Sequence, residues 1–159
     1  MIYDNLKIYS QNVCKNALIV NTILKTYFYF NIILIQEPPW SIIYLIPSST
    51  CSEGNILVGA PHYPNWLFFA RPLVAQSNSP RVIVYINICL SSFQFSLHKD
   101  IINYRDILFI SFFTNNVCSF IMNIYSDISH SALKYLKDTE MNISNLLIMM
   151  GDFNIRDWL

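Results

Sequence analysis

The chain has 159 residues, 53% of them hydrophobic, 15% aromatic and only 13% charged. A chain of that length folds as about one domain and buries roughly 70% of its unfolded surface, so the composition excludes a disordered tail, a collagen-like repeat and a charged helical bundle. Ten Lys and Arg balance ten Asp and Glu, which excludes a global positive field for nucleic acid or an anionic membrane and leaves only local contacts to meet a polyanion.

The longest apolar stretch, Tyr27 to Ile35, is interrupted at Asn31 and falls far short of the ~20 residues of a spanning helix. The start, Met1-Ile2-Tyr3-Asp4-Asn5, shows no basic region and no small-residue cleavage site, so no secretory signal is read and an intracellular chain is expected. Cys14, Cys51, Cys89 and Cys118 form no C-x-x-C pair, and only His62, His98 and His130 are available to help them. Buried free thiols are expected, rather than a zinc site or a redox pair.

In chain order, Leu6 to Val13 alternates in places and reads as a strand. Val20, Ile23, Leu24 and Tyr27 recur at i, i+3, i+4 and i+7 and predict a helix from about Asn16. Asn31 to Gln36 is a β-branched run stopped by Glu37-Pro38-Pro39, because proline cannot continue a ladder and restricts the residue before it. Pro47 to Pro64 and Ala75 to Pro80 read as loops. Arg81 to Asn87, Ile107 to Phe112 and Ser119 to Tyr125 are β-branched and aromatic enough for buried strands. Ser129 is the expected N-cap of a helix carrying Ala132, Leu133 and Leu136 on one face, and Leu146 to Met150 is a last strand ending in Gly151-Asp152. Strands apolar on both faces, with helices between them, indicate an α/β sandwich.

Three of these strands end in polar residues: Gln11-Asn12, Gln36-Glu37 and Gly151-Asp152-Phe153-Asn154. Strand ends are rigid and open to solvent at one rim, where sites are commonly built. Two carboxylates and two amides converging there would form an oxygen-only cage suited to Mg²⁺. In this order, Gln11-Asn12, the run I-I-L-I-Q-E from Ile32 to Glu37, Asn123-Ile124-Tyr125 and Met149-Met150-Gly151-Asp152-Phe153-Asn154 resemble the endonuclease/exonuclease/phosphatase superfamily. The segments Gln36-Glu37-Pro38-Pro39-Trp40, Arg105-Asp106-Ile107 and Tyr125-Ser126-Asp127 resemble more narrowly the endonuclease domain of non-LTR retrotransposons.

The resemblance implies a deoxyribonuclease-like α/β fold: a two-layer β-sandwich flanked by helices, one domain over residues 1–159, incomplete at its carboxyl end. It implies Glu37 as the ligand of Mg²⁺, or of Mn²⁺ in its place, with Asn12 beside it. Asp152 would orient or deprotonate the attacking water, Asn154 would hold that water or a phosphate oxygen, and Tyr125 would donate to the phosphate. Such residues suit in-line attack on a phosphodiester, which needs a positioned nucleophile and positive charge near the developing oxyanions. The implied substrate is DNA, nicked by a retrotransposon-derived protein whose full-length relatives carry a reverse transcriptase domain. Neither a membrane nor a specific protein partner is implied, and the nucleus is among the expected locations.

Two departures qualify the resemblance. The family commonly shows Pro-Asn shortly after the tyrosine, where this chain has Ser126-Asp127-Ile128. Family members also continue to an Asp-His pair, whereas this chain ends at Leu159 and none of its histidines substitutes by chain order. The chain alone is therefore expected to be inactive or nearly so, since each such donor is worth ~10²-fold or more, and to leave a sheet face and edge open. A non-catalytic truncated remnant, and a phosphomonoesterase or phospholipid phosphatase of the same superfamily, stay open as alternatives. Taken singly, the motifs also have plainer readings: a strand stop at Glu37, an Asx turn at Asp152 to Asn154 and packing at Tyr125. For Asp106, Asp127, His130 and Asp157 a structural role is expected, with Asp127 and His130 capping the following helix. Arg71, Arg81, Lys99, Arg105 and Arg156 are the dispersed candidates for phosphate contacts.

Overall fold

Asn16 starts the first helix by accepting from the backbone N–H groups of Leu18 and Ile19, two of the donors a helix start leaves without partners. In the computed structural model, which describes residues 6–39, 43–46, 55–58, 63–71, 79–114, 117–139 and 145–154, the elements follow in this order: β1 (Ile8–Asn12), α1 (Ala17–Thr26), β2 (Ile32–Gln36), β3 (Ile43–Ile46), β4 (Asn55–Val58), β5 (Trp66–Phe69), β6 (Val82–Asn87), β7 (Phe95–Leu97), β8 (Ile107–Thr114), β9 (Val117–Tyr125), α2 (Ser131–Asp138) and β10 (Leu146–Asp152).

Two four-stranded sheets result, ordered β1-β2-β6-β5 and β10-β9-β8-β7, with β3 and β4 paired separately. Each sheet carries one parallel pair joined by a helical crossover, as parallel neighbours require. β1 and β2 are bridged by α1, with Asn12 opposite Gln36. β9 and β10 are bridged by α2, with Tyr125 opposite Asp152. The carboxyl ends of all four strands therefore carry the polar residues singled out in the sequence.

The two-residue period of the strands divides the core into layers. Ile32, Leu34, Val82, Val84, Ile86, Leu108, Ile110, Phe112 and Ile121 fill the space between the sheets. Ile33, Ile35, Ile83 and Tyr85 face the other way, onto Val20, Ile23 and Leu24 of α1. Ile107, Phe109, Met122 and Ile124 likewise meet Ala132 of α2 and the partly buried Tyr135 and Leu136. Helix, sheet, sheet and helix stack as four layers, each buried aliphatic side chain contributing about 1.5–3 kcal/mol. α1 is pinned further by Trp66, whose indole N–H donates to the Leu24 carbonyl at 3.0 Å.

Several local expectations are corrected. Strand β4 lies inside the stretch 47–64 read as loop, and β3, β5 and β7 were unread because strands of three or four residues are too short for a periodic signal. Most of 75–80 lies outside the described residues. α2 starts at Ser131 rather than after Ser129, and the Asp127 carboxylate accepts from the Ser131 N–H at 3.2 Å. His130 occupies the N-cap position in a left-handed conformation and makes no side-chain cap. The cysteines are free but not buried: Cys14 and Cys89 are exposed and Cys118 half-buried. Cys14 sits in a left-handed turn just past β1 and Cys89 in a 3-10 turn after β6, so neither belongs to a core face. Cys51 lies outside the described residues.

Candidate active site at the paired strand ends

Inward parity brings the polar strand-end residues together. Gln36 continues the inward face of Ile32 and Leu34, and Asn123 that of Ile121. Both are fully buried, which requires internal partners. Gln36 Nε2 donates to Asn123 Oδ1 at 2.6 Å and to Ser10 Oγ at 3.1 Å. Asn123 Nδ2 donates to the carbonyls of Ile35 and Ile83 at 3.1 and 2.9 Å. This clasp ties the two sheets one residue below Glu37 and two below Tyr125.

Above it lie the candidate residues. Asn12 Nδ2 donates to Glu37 Oε2 at 3.1 Å and to Asp152 Oδ2 at 2.7 Å, so one amide joins two carboxylates 140 residues or fewer from it in sequence. The Asn12 oxygen accepts from the Cys14 N–H at 2.8 Å. Glu37 adopts φ 49°, unusual for a residue with a side chain, and is held there by two backbone bonds: its N–H donates to the Arg81 carbonyl at 2.7 Å, and its carbonyl accepts from the Lys15 N–H at 2.8 Å. Asp152 accepts through Oδ1 from the Asn154 N–H at 3.0 Å, the Asx turn that the Gly-Asp-Phe-Asn run suggests. Asn154 Nδ2 donates to the Ser126 carbonyl at 2.6 Å.

Tyr125 is buried with its ring between the sheets, and its hydroxyl lies near enough to Glu37 and Asp152 for both charges to act on it. Burial and the neighbouring Glu37 and Asp152 charges push the phenol above its ordinary range, against an opposing pull from Arg81. Tyr125 is thus a protonated donor at neutral pH. The Arg81 guanidinium carbon lies 4.4 Å from the centre of that ring, inside the range of a cation–π contact. Its Nε donates to Asp106 Oδ1 at 2.8 Å, and Nη2 reaches both Asp106 and Asp127 Oδ2, the latter at 3.1 Å. Hydrogen bonds to Asp106 hold the guanidinium charged far above its ordinary range.

Of the basic residues considered for phosphate contacts, Arg71 is excluded by its surroundings. It is buried, with Nε on the Ile107 carbonyl, Nη1 on Asn103 Oδ1 and Nη2 on the Ile102 carbonyl. Arg156 and His62 lie outside the described residues. Asp106, expected to be structural, is fully buried against Arg81, with Arg105 Nε at 3.3 Å. The Arg81–Asp106 pairing was not read from the sequence, although a lone Asp before an apolar strand signals a buried charge in need of a partner.

The donor set is one of hard oxygens: the two carboxylates of Glu37 and Asp152, drawn together by one amide. Among the described residues no third His, Cys, Asp or Glu joins them. Mg²⁺ is commonly held by one or two carboxylates and several waters, so the pair fits such an ion.

No protein-family model matches the sequence, and no curated protein matches it either. Among solved structures the chain is similar to one described as the endonuclease domain of TRAS1, a telomere-specific non-LTR retrotransposon, with a TM-score of 0.60 and 14% sequence identity. The similarity covers 93% of this chain and 60% of that one, so the chain spans about three-fifths of that structure's length. No helix among the described residues is long and apolar enough to cross a membrane. The fold of this chain, an α/β sandwich of two four-stranded sheets, is thus similar to that of a solved retrotransposon endonuclease domain.

Proposed function

We propose that this chain carries the first part of a metal-dependent phosphodiesterase centre that nicks DNA, as part of a retrotransposon-derived protein. The observation that supports this most directly is the convergence of Glu37 and Asp152 on the Asn12 amide, with the Tyr125 phenol within reach of both charges. Glu37 serves as the carboxylate ligand of Mg²⁺ or Mn²⁺. Asn12 sets the spacing of the two carboxylates, and its oxygen, which accepts from the Cys14 N–H, keeps a second lone pair for the ion. The bound ion supplies positive charge that offsets the charge developing on the phosphorus oxygens.

Asp152 has both oxygens engaged, by Asn12 and by the Asn154 N–H, so its carboxylate is oriented to align a water and take its proton. The Asn154 amide nitrogen is committed to Ser126, which leaves its oxygen to accept from the same water. Tyr125, kept protonated, donates to a non-bridging phosphate oxygen. A reverse transcriptase domain is expected beside such a centre in full-length relatives.

Mn²⁺ titration followed by electron paramagnetic resonance tests the metal assignment. Stoichiometric binding weakened about 10-fold or more in Glu37→Ala is the expected result, judged by the size of effects around metal ligands. Binding unchanged in that variant would remove Glu37 from the ligand set.

A further inference from the structure

Arg81 touches the candidate site from two sides. Its carbonyl accepts the Glu37 N–H at 2.7 Å, on the residue whose left-handed backbone aims the carboxylate. Its guanidinium lies over the ring of Tyr125, on the opposite sheet. A backbone held in a sparsely populated region persists only where its neighbours over-determine it.

The guanidinium is itself clamped. Asp106 grips it with both oxygens, and Asp127 adds a third contact at 3.1 Å. Asp106 also holds Tyr125 directly, its carbonyl accepting the Tyr125 N–H at 2.9 Å. Asp127 accepts from the N–H and hydroxyl of Ser131 and from the Ser129 hydroxyl, which joins the clamp to the start of α2. A planar fork gripped along its edge leaves its face free to stack, a geometry that Arg supplies and Lys does not.

We propose that Arg81 is a positioning residue, which fixes the Tyr125 ring and so aims its hydroxyl at the candidate site between the two sheets. It touches neither phosphate nor metal in this role. The kinetic consequence rests on the proposed hydrolysis, whereas the positioning itself does not.

The test uses the whole chain with Arg81→Met and Arg81→Lys. In the first arm, metal-free protein is labelled with ring-¹³C tyrosine and the Tyr125 signals are assigned with Tyr125→Phe. The expected result is that Arg81→Met shifts and broadens the Tyr125 signals while leaving those of Tyr85, on the outer face of its sheet, in place. Arg81→Lys, which keeps a cation but loses the fork, restores them in part. Unchanged Tyr125 signals would overturn the proposal, whether or not the chain is a nuclease.

In the second arm, nicking falls about 10-fold in Arg81→Met, and the same substitution adds little in a Tyr125→Phe background, as residues acting through one another are non-additive. Equal losses in the two backgrounds would assign Arg81 a purely structural role and overturn the proposal. If the wild-type chain shows no nicking, the first arm alone decides. If Arg81→Met does not fold, Arg81→Lys carries both arms.

Discussion

Tyr125 shows how much of the chemistry lies in single side chains. Its ring is packed between the sheets while its hydroxyl feels the Glu37 and Asp152 charges, so Tyr125→Phe keeps the packing and removes only the donor. Nicking should fall about 10²-fold, the usual loss for one transition-state donor, with Mn²⁺ affinity unchanged; a plasmid assay beside a metal titration checks both. An unaltered rate would leave the hydroxyl without a role in turnover. Asp127 offers a separate test through pH. Hydrogen bonds from the Ser129 hydroxyl, the Ser131 N–H and hydroxyl, and Arg81, opposed by burial, hold its carboxyl well below the ordinary value of 3.8. A carboxyl depressed on folding stabilises the protein fully above its unfolded value, and that stability is lost as pH falls through the folded one. The urea midpoint of the wild type should therefore drop as the pH is lowered below about 4, and Asp127→Asn should drop less; identical pH profiles would contradict this. At this scale the sequence was legible where strand parity applies. Asn12, Gln36, Asn123, Tyr125 and Asp152 all fall on inward positions of strands readable from their apolar runs. Arg81 and Asp106 were not legible as a pair, because their 25-residue separation closes only when β6 and β8 meet across the sheets.

The two parallel pairs are the elements that matter for the site, and each depends on close contact at its strand end. In β10, Gly151 has φ 156° and lies opposite Ile124, where an added Cβ would collide with the Ile124 carbonyl. Gly151→Ala should cost more than about 2 kcal/mol of stability, in the range of severe backbone conflicts, as measured by urea unfolding. A cost near zero would mean that β10 pairs with β9 less tightly than the register indicates. In β2 the buried Gln36 does comparable work through hydrogen bonds, since an unpaired buried amide typically costs about 1–3 kcal/mol. α1 was legible because an i, i+3, i+4 stripe and an Asn N-cap coincide. The start of α2 was legible in part: Asp127 caps it as expected, from four residues before Ser131, whereas Ser129 is not the N-cap and His130 makes no side-chain cap. The short strands β3, β4, β5 and β7 escaped for want of length.

For the molecule as a whole, two β-α-β units placed in opposite sheets bring four strand ends to one rim, where carboxylates distant in sequence meet on one amide. The same layered arrangement occurs in a retrotransposon endonuclease domain at 14% identity, as expected when a fold depends on apolar periodicity rather than on particular side chains. The neutral net charge leaves DNA to be engaged by contacts at the site rather than by a broad positive face. The most direct measurement is nicking of supercoiled plasmid by the purified chain, in excess over DNA, with Mg²⁺ or Mn²⁺ and with Glu37→Ala and Asp152→Ala in parallel. Slow nicking that requires the metal and falls about 10²-fold or more in each variant is the expected result. Nicking that survives both substitutions would contradict the assignment of this rim as the phosphodiesterase centre.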